Sequence, residues 1–107
     1  MVELNSLSEL KEEITKHQIV TAYFSGPNCG VCTALKPKIE TMLEELGDIP
    51  AYYIDTRKLP ESASEYSIFT IPGILVFVRG KEQIREARYI SVIELKTKLE
   101  RIKRLVA

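Results

Sequence analysis

Two cysteines, Cys29 and Cys32, lie where the hydrophobic pattern of the chain changes from that of a strand to that of a helix. Before them, residues 19–24 are a β-branched and aromatic run that ends in Ser-Gly-Pro-Asn, which predicts a buried strand followed by a turn. After them, apolar residues recur at helical spacing as far as Gly47. The pair is therefore expected on a strand-to-helix connection.

The spacing of the two cysteines suits reversible redox chemistry better than structural cross-linking. A C-x-x-C bridge closes a very small ring, so it stabilises a fold far less than a long-range disulfide does. The chain has no other cysteine and a single histidine, His17, whereas a structural zinc site uses four ligands. Three interpretations follow in decreasing order: a redox pair, a pair retained on a binding protein, and half of a metal site.

Composition limits the class of protein. A chain of 107 residues with 45% hydrophobic content fits one compact domain, residues 1–107. Fifteen basic and 15 acidic residues balance, which argues against nucleic-acid and anionic-membrane partners. The amino-terminal residues lack a basic start followed by an apolar run, so we expect a cytoplasmic protein, in which such a pair is kept mostly reduced.

Hydrophobic periodicity predicts the element order α-β-α-β-α-β-β-α. Capping-box spacing marks the start of the first and last helices, at Ser6-x-x-Glu9 and Ser91-x-x-Glu94. A hairpin turn is expected at 79–82. The predicted helices are 7–17, 31–46, 60–66 and 92–105, and the predicted strands are 19–24, 51–55, 74–78 and 83–89.

In this order of elements, C-x-x-C opens a helix that contains Pro37, and Ile71-Pro72 precedes a long apolar strand. With these features the chain resembles the thioredoxin family across essentially its whole length. The resemblance implies a thioredoxin-like α/β fold, with a central mixed sheet of about four strands flanked by helices. It also implies that Pro72 is cis and lies opposite the cysteines, where the backbone of residue 71 pairs with an extended substrate segment.

Five positions depart from the pattern common in that family. Asn28 stands where a Trp is common, and Val31 where a Pro is common. Tyr23 takes the place of a buried Asp, Ala51 that of its Lys companion, and Arg88 that of a small Gly on the substrate-facing surface. These departures separate the chain from a general-purpose thioredoxin.

The resemblance assigns the catalytic roles to Cys29 and Cys32. Partial positive charge at a helix start favours a thiolate at Cys29, which we expect to attack a partner's disulfide before Cys32 resolves the mixed disulfide. Because the phenol of Tyr23 is neutral near pH 7, it is a poor base for Cys32, and slow resolution is expected. The backbone N–H of Val31 is a further candidate donor to the Cys29 sulfur.

The expected activity is therefore thiol-disulfide exchange on protein or small disulfides, with electrons supplied by a separate reductase. No metal, nucleotide or flavin site is visible in the sequence. The alternative is a non-catalytic module that holds extended segments in the groove at Ile71-Pro72. Arg88 either steers acidic partners or is a surface charge on an edge strand. The residues expected to contact substrate are Asn28, Gly30, Val31, Ile71, Pro72 and Arg88.

Overall fold

Five strands and four helices follow one another along the chain, and the computed structural model describes all 107 residues. In chain order the elements are β1 (Val2–Glu3), α1 (Leu7–Lys16), β2 (Ile19–Ser25), α2 (Gly30–Glu45), β3 (Ala51–Asp55), α3 (Pro60–Glu65), β4 (Gly73–Val78), β5 (Lys81–Ala87) and α4 (Val92–Val106). The strands form one mixed sheet in the order β1-β3-β2-β4-β5.

The sheet is built outward from β2, which pairs parallel with β3 and antiparallel with β4. All residues of β2 from Val20 to Ser25 are buried, as expected of a central strand covered on both faces. Phe24 pairs with Gly73 at the end of β2 that leads to the cysteines. This register brings the start of β4 to the same edge of the sheet as the cysteine pair.

Two hydrophobic cores stabilise the fold, one on each face of the sheet. Alternate residues of β2 contribute to opposite cores, because successive side chains of a strand point to opposite faces. The first core includes Tyr23, Ile39, Met42, Leu43, Ile74, Val76, Leu95 and Leu99, and the second includes Leu10, Ile14, Val20, Ala22, Phe24, Ile54, Leu75 and Phe77.

Both predicted helix caps are confirmed. The hydroxyl of Ser6 accepts the backbone N–H of Glu9 at 3.1 Å, and that of Ser91 accepts the N–H of Glu94 at 3.2 Å. α2 runs from Gly30 to Glu45 with Pro37 inside it. Its N-cap residue is Cys29, which places the cysteine pair at the amino end of the longest helix.

The predicted α/β fold, a central mixed sheet flanked by helices, is confirmed, with five strands instead of about four and a short strand ahead of the first helix. The missed strand is β1, where Val2 pairs with Tyr52 and Glu3 with Tyr53. Both β1 residues are exposed, so no alternation of burial marks the strand in the sequence. Its existence depends on parallel pairing with residues about fifty positions away.

The predicted position of β5 is also shifted. The turn is only Arg79-Gly80, both with positive φ (52° and 83°), so pairing resumes at once between Val78 and Lys81. A β-bulge follows, because Val76 pairs with Ile84 and Phe77 with Glu82, leaving Gln83 between them. At the other end, Arg88 adopts a left-handed φ of 64° and β5 ends before it. None of the four helices has the length and apolar content that a membrane span requires.

Candidate active site

The sulfur atoms of Cys29 and Cys32 are joined in a disulfide at the start of α2, with an S–S distance of 2.23 Å. Cys29 is half-buried, whereas Cys32 is 2% exposed. The Cys29 sulfur accepts the backbone N–H of Cys32 at 3.3 Å. This donor corrects the expectation that the N–H of Val31 points at the sulfur. One sulfur is therefore reachable and the other is enclosed.

The position of Cys29 favours its ionised form when the pair is reduced. As the N-cap, it faces backbone N–H groups that have no partner within the helix, and these carry partial positive charge. A thiolate there would accept the Cys32 N–H with a full negative charge, which strengthens the bond. The local geometry thus distinguishes a reachable, helix-capping sulfur from a second sulfur held behind it.

Tyr23 lies beneath the pair and bonds directly to its backbone. Its hydroxyl donates to the carbonyl oxygen of Cys32 at 2.7 Å, and its side chain is completely buried. Burial is the main cause that raises the pKa of Tyr23 to about 12, with the neighbouring Tyr53 adding to it. The phenol stays protonated, and its O–H donates a hydrogen bond to a backbone carbonyl. It is therefore no base for the Cys32 thiol.

A cleft of about 340 Å³ reaches Cys32 from the side of β3. Lys36 and Glu40, one helical turn apart on α2, line it together with Tyr53, and their charged atoms are 3.6 Å apart. Glu40 also accepts from the amino group of Met1, and this bond is the main cause that lowers the pKa of Glu40. The Lys36 ammonium lies 5.8 Å from the centre of the Tyr53 ring. The cleft therefore brings charged groups and room for water to the enclosed cysteine.

Ile71 and Pro72 lie at the same edge of the sheet as the disulfide. The peptide bond between them is cis. A Cβ on Gly26 would come within 3.1 Å of the Ile71 side chain, so these two segments are in close contact just ahead of Cys29. Ile71 forms no backbone hydrogen bond within the chain, whereas the carbonyl of Pro72 accepts the N–H of Arg88 at 2.8 Å.

Arg88 is brought to the same edge by the pairing of β4 with β5. Gly73 pairs with Ala87, and the hydrogen bond from Arg88 to Pro72 extends that contact by one residue. The Arg88 side chain is exposed. The neighbouring Tyr89 is 89% exposed. Arg88 is thus on the loop that follows β5 and adjoins Pro72.

The remaining predicted contact residues surround Cys29 on the exposed surface. Asn28 has a φ of 57°, a left-handed backbone that Asn tolerates better than most residues because its short polar side chain can hydrogen-bond locally. A Cβ on Gly30 would meet nothing within 4 Å. The Val31 side chain is 60% exposed. All three face solvent.

Sequence reasoning missed Arg85, which connects β5 to the loop that contains Phe69 and Ile71. Its guanidinium donates to the carbonyl oxygens of Tyr66 at 2.7 Å and Ser67 at 3.2 Å, and it forms an ion pair with Glu82. Nothing in the local pattern marks it, because the two carbonyls are 19 and 18 residues away. No group of three or more His, Cys, Asp or Glu side chains is placed to hold a metal ion.

The cysteine that caps α2 follows the end of a central strand and is disulfide-bonded to a second cysteine three residues further on. This is the arrangement of a thiol-disulfide exchange protein. The family model for thioredoxin matches residues 1–101. The chain therefore belongs to the thioredoxin family and is a thiol-disulfide oxidoreductase.

Individual relatives agree with this assignment. The chain is 35% identical to the thioredoxin-like protein YdfQ of Bacillus subtilis (strain 168), a match that covers 98% of this chain and 94% of that protein. It is 29% identical to thioredoxin H2 of Arabidopsis thaliana over 70% of this chain, but spans only 54% of that longer protein. The structure of a mutant thioredoxin from Halobacterium salinarum NRC-1 superposes with a TM-score of 0.84 at 26% identity, covering 92% of this chain and 87% of that one.

Proposed function

We propose that the protein reduces disulfides of protein substrates or small molecules, with Cys29 as the nucleophile and Cys32 as the resolving cysteine. The observation that carries the proposal is the contrast between the two sulfurs: Cys29 caps α2 and is half-buried, while Cys32 is 2% exposed behind it. Only one of them is accessible to an incoming disulfide.

The reaction transfers two electrons in two exchanges. The Cys29 thiolate attacks one sulfur of the partner, so a mixed disulfide forms and the partner's other sulfur leaves as a thiolate. Cys32 then loses its proton and attacks the Cys29 sulfur, which releases the second partner sulfur and forms the Cys29–Cys32 bond. The partner disulfide is reduced and the pair is oxidised. The oxidised pair must then receive two electrons from a reductase.

The substrate lies along Ile71 and Pro72 in this proposal. Support comes from the free backbone N–H and carbonyl of Ile71, which are able to pair with an extended segment beside the disulfide. Asn28, Gly30 and Val31 border the same surface, and Arg88 closes its far side. We assign these six residues to substrate binding.

The proton on Cys32 leaves by a route other than Tyr23. Support comes from the Tyr23 hydroxyl, which is committed to the Cys32 carbonyl, and from the cleft that reaches Cys32 beside Lys36 and Glu40. Water in this cleft takes the proton. Resolution is therefore slower than it would be with a carboxylate in the position of Tyr23.

The wider setting follows from the same chemistry. We propose one thioredoxin-like domain over residues 1–107, in the cytoplasm, where a reductase maintains the dithiol. The protein works without a metal or organic cofactor, because both electrons reside on its own two sulfurs. Nucleic acids and membranes are not among its partners, in keeping with a formal net charge of +0.

Insulin reduction driven by a dithiol tests the activity. Wild-type protein should turn over, Cys29→Ser should be inactive, and Cys32→Ser should stop after one mixed disulfide that mass spectrometry detects on Cys29. Capture of cell proteins on Cys32→Ser then names the substrates. Equal capture by a variant lacking both cysteines would instead show a binding module whose partners are held at Ile71 without exchange.

A further inference from the structure

We infer that the substrate is an extended peptide segment that carries an acidic side chain close to its disulfide, and that Arg88 selects it. This inference rests on the proposed function and specifies its substrate class. The specificity resides in a position where the chain departs from the family pattern, namely a cation on the loop that adjoins Pro72.

The charge distribution around the disulfide carries the inference. Three segments meet at that edge of the sheet: 25–33 with the cysteines, 67–73 with Ile71 and Pro72, and 87–91 with Arg88. In a chain with 28% charged residues, Arg88 is the only charged residue in all three. Its guanidinium is exposed and has no hydrogen-bond or ion-pair partner in the chain. The electrostatic field at this surface is therefore positive, and no acidic residue of the three segments offsets it.

Two acidic residues on adjoining segments have partners of their own. Asp55 ends β3 beside Ser25, and its carboxylate accepts the backbone N–H groups of Arg57 and Lys58. Arg57 offsets Asp55 in charge, and Lys58 is paired with Glu3 at 3.4 Å, so this segment adds no net charge. Glu86, next to Ala87 on β5, is paired with Lys98 at 2.6 Å. Neither carboxylate cancels Arg88.

Two exposed aromatic rings indicate a peptide as the bearer of the acidic group. Phe69 and Tyr89 are each 89% exposed and lie on the same two loops as Ile71 and Arg88. Exposed aromatic side chains next to a free backbone pair provide apolar contact for neighbouring residues of an extended chain. A small anionic disulfide would engage Arg88 but leave both rings and the Ile71 backbone unused.

The test compares single-turnover reduction of three fluorogenic peptide disulfides of equal length, with Glu, Gln or Lys on both sides of the half-cystine. At low salt, wild-type protein should reduce the Glu peptide roughly three- to tenfold faster than the Lys peptide, the size expected for one exposed charge pair plus steering. At about 1 M salt, where the screening length is about 3 Å, this ratio should approach one.

Two arginines allow a matched comparison. Arg79 and Arg88 are both exposed, both have positive φ (52° and 64°), and they lie at opposite ends of β4. Arg88→Gln should bring the Glu-to-Lys ratio close to one and Arg88→Glu should invert it, while Arg79→Gln should keep the wild-type ratio. Circular dichroism confirms that each variant is folded.

Each outcome tests a separate part of the inference. A wild-type ratio of one at low salt, or an equal loss of the ratio in Arg79→Gln, would overturn the role of Arg88. Equal discrimination with a Glu-bearing small disulfide that lacks the flanking peptide would overturn the peptide assignment. If wild-type protein reduces none of the three peptides while a dithiol does, the proposed function itself has failed, which is a different result from reduction without charge preference.

Discussion

The hydroxyl of Tyr23 donates a 2.7 Å hydrogen bond to the backbone carbonyl of Cys32, the resolving cysteine of the proposed mechanism. The bond uses the only proton of the phenol and directs it away from any thiol. Tyr23 is thereby a structural support for the first turn of α2 and not a base. The hydrogen bond therefore contributes to the stability of the site but not to the removal of the proton from the Cys32 thiol.

Replacing Tyr23 should separate those two effects. Tyr23→Phe removes only the hydroxyl, so it should cost about 1 kcal/mol of stability and leave the rate at which Cys32 resolves a mixed disulfide within about twofold of wild type. Tyr23→Asp introduces a base and should speed resolution roughly tenfold, though loss of the ring should lower stability by about 3–5 kcal/mol. Quenched-flow mass spectrometry measures the rates. Wild-type resolution as fast as that of Tyr23→Asp would refute the argument.

Stability should fall at alkaline pH. The pKa of Tyr23 is raised from 10.0 to about 12, mainly by burial, so the folded state favours the neutral phenol. Its stabilising contribution is complete below pH 10 and is lost as the pH rises toward 12, amounting to about 3 kcal/mol. The pKa of Tyr52 is also raised to about 12, by burial first and by its bond to Glu13, and its titration adds a loss in the same direction.

Urea unfolding below pH 10 and near pH 12 checks this prediction. Tyr23→Phe should show a shallower alkaline decline than wild type, because the general titration of lysines is common to both proteins. A decline of the same steepness in the two proteins would mean that Tyr23 is not the group responsible.

Arg85 should hold the loop that contains Ile71. Arg85→Leu removes donors to the carbonyls of Tyr66 and Ser67 and should make amide exchange at residues 66–71 roughly fivefold to tenfold faster, as expected for about 1 kcal/mol of lost hydrogen bonding at a half-exposed site. Hydrogen-exchange mass spectrometry measures it. Arg101→Leu, an exposed arginine on α4 without such bonds, is the control; equal acceleration there would assign the effect to lost charge alone.

The N-terminal cap of α1 offers a comparison between two neighbouring serines. Ser6→Ala removes the acceptor of the Glu9 N–H and should lower the free energy of unfolding by about 1 kcal/mol. Ser8 lies inside the helix, where alanine has the higher helix propensity, so Ser8→Ala should be neutral or slightly stabilising, by up to about 0.5 kcal/mol. Thermal and urea unfolding measure both, and equal effects would contradict the capping assignment.

Local patterns predicted most of the fold because the features concerned are encoded within a few residues. The caps at Ser6 and Ser91, the apolar run of β4 and the cysteines at the start of α2 each depend on short-range spacing. All eight predicted elements are present, and errors at their ends are small except at β5.

The features that escaped prediction depend on contacts between distant residues. β1 is a strand only because β3 lies beside it, and the bulge at Gln83 is defined only by its partners on β4. Likewise, the sequence shows that Tyr23 is an unsuitable base, but only the structure shows that its hydroxyl reaches the Cys32 carbonyl. The start of β5 depends on a two-residue turn with positive φ at a non-glycine residue, Arg79, which composition does not signal.

The two outer strands of the sheet determine how the molecule behaves toward other extended chains. β1 is only two residues long, and β5 is interrupted by its bulge and carries Lys81, Glu82, Arg85 and Glu86. Short, charged and bulged borders resist the side-by-side addition of foreign strands that leads to aggregates. Neither edge of the sheet therefore favours pairing with a foreign strand, whereas the backbone of Ile71 beside the disulfide has no partner within the chain.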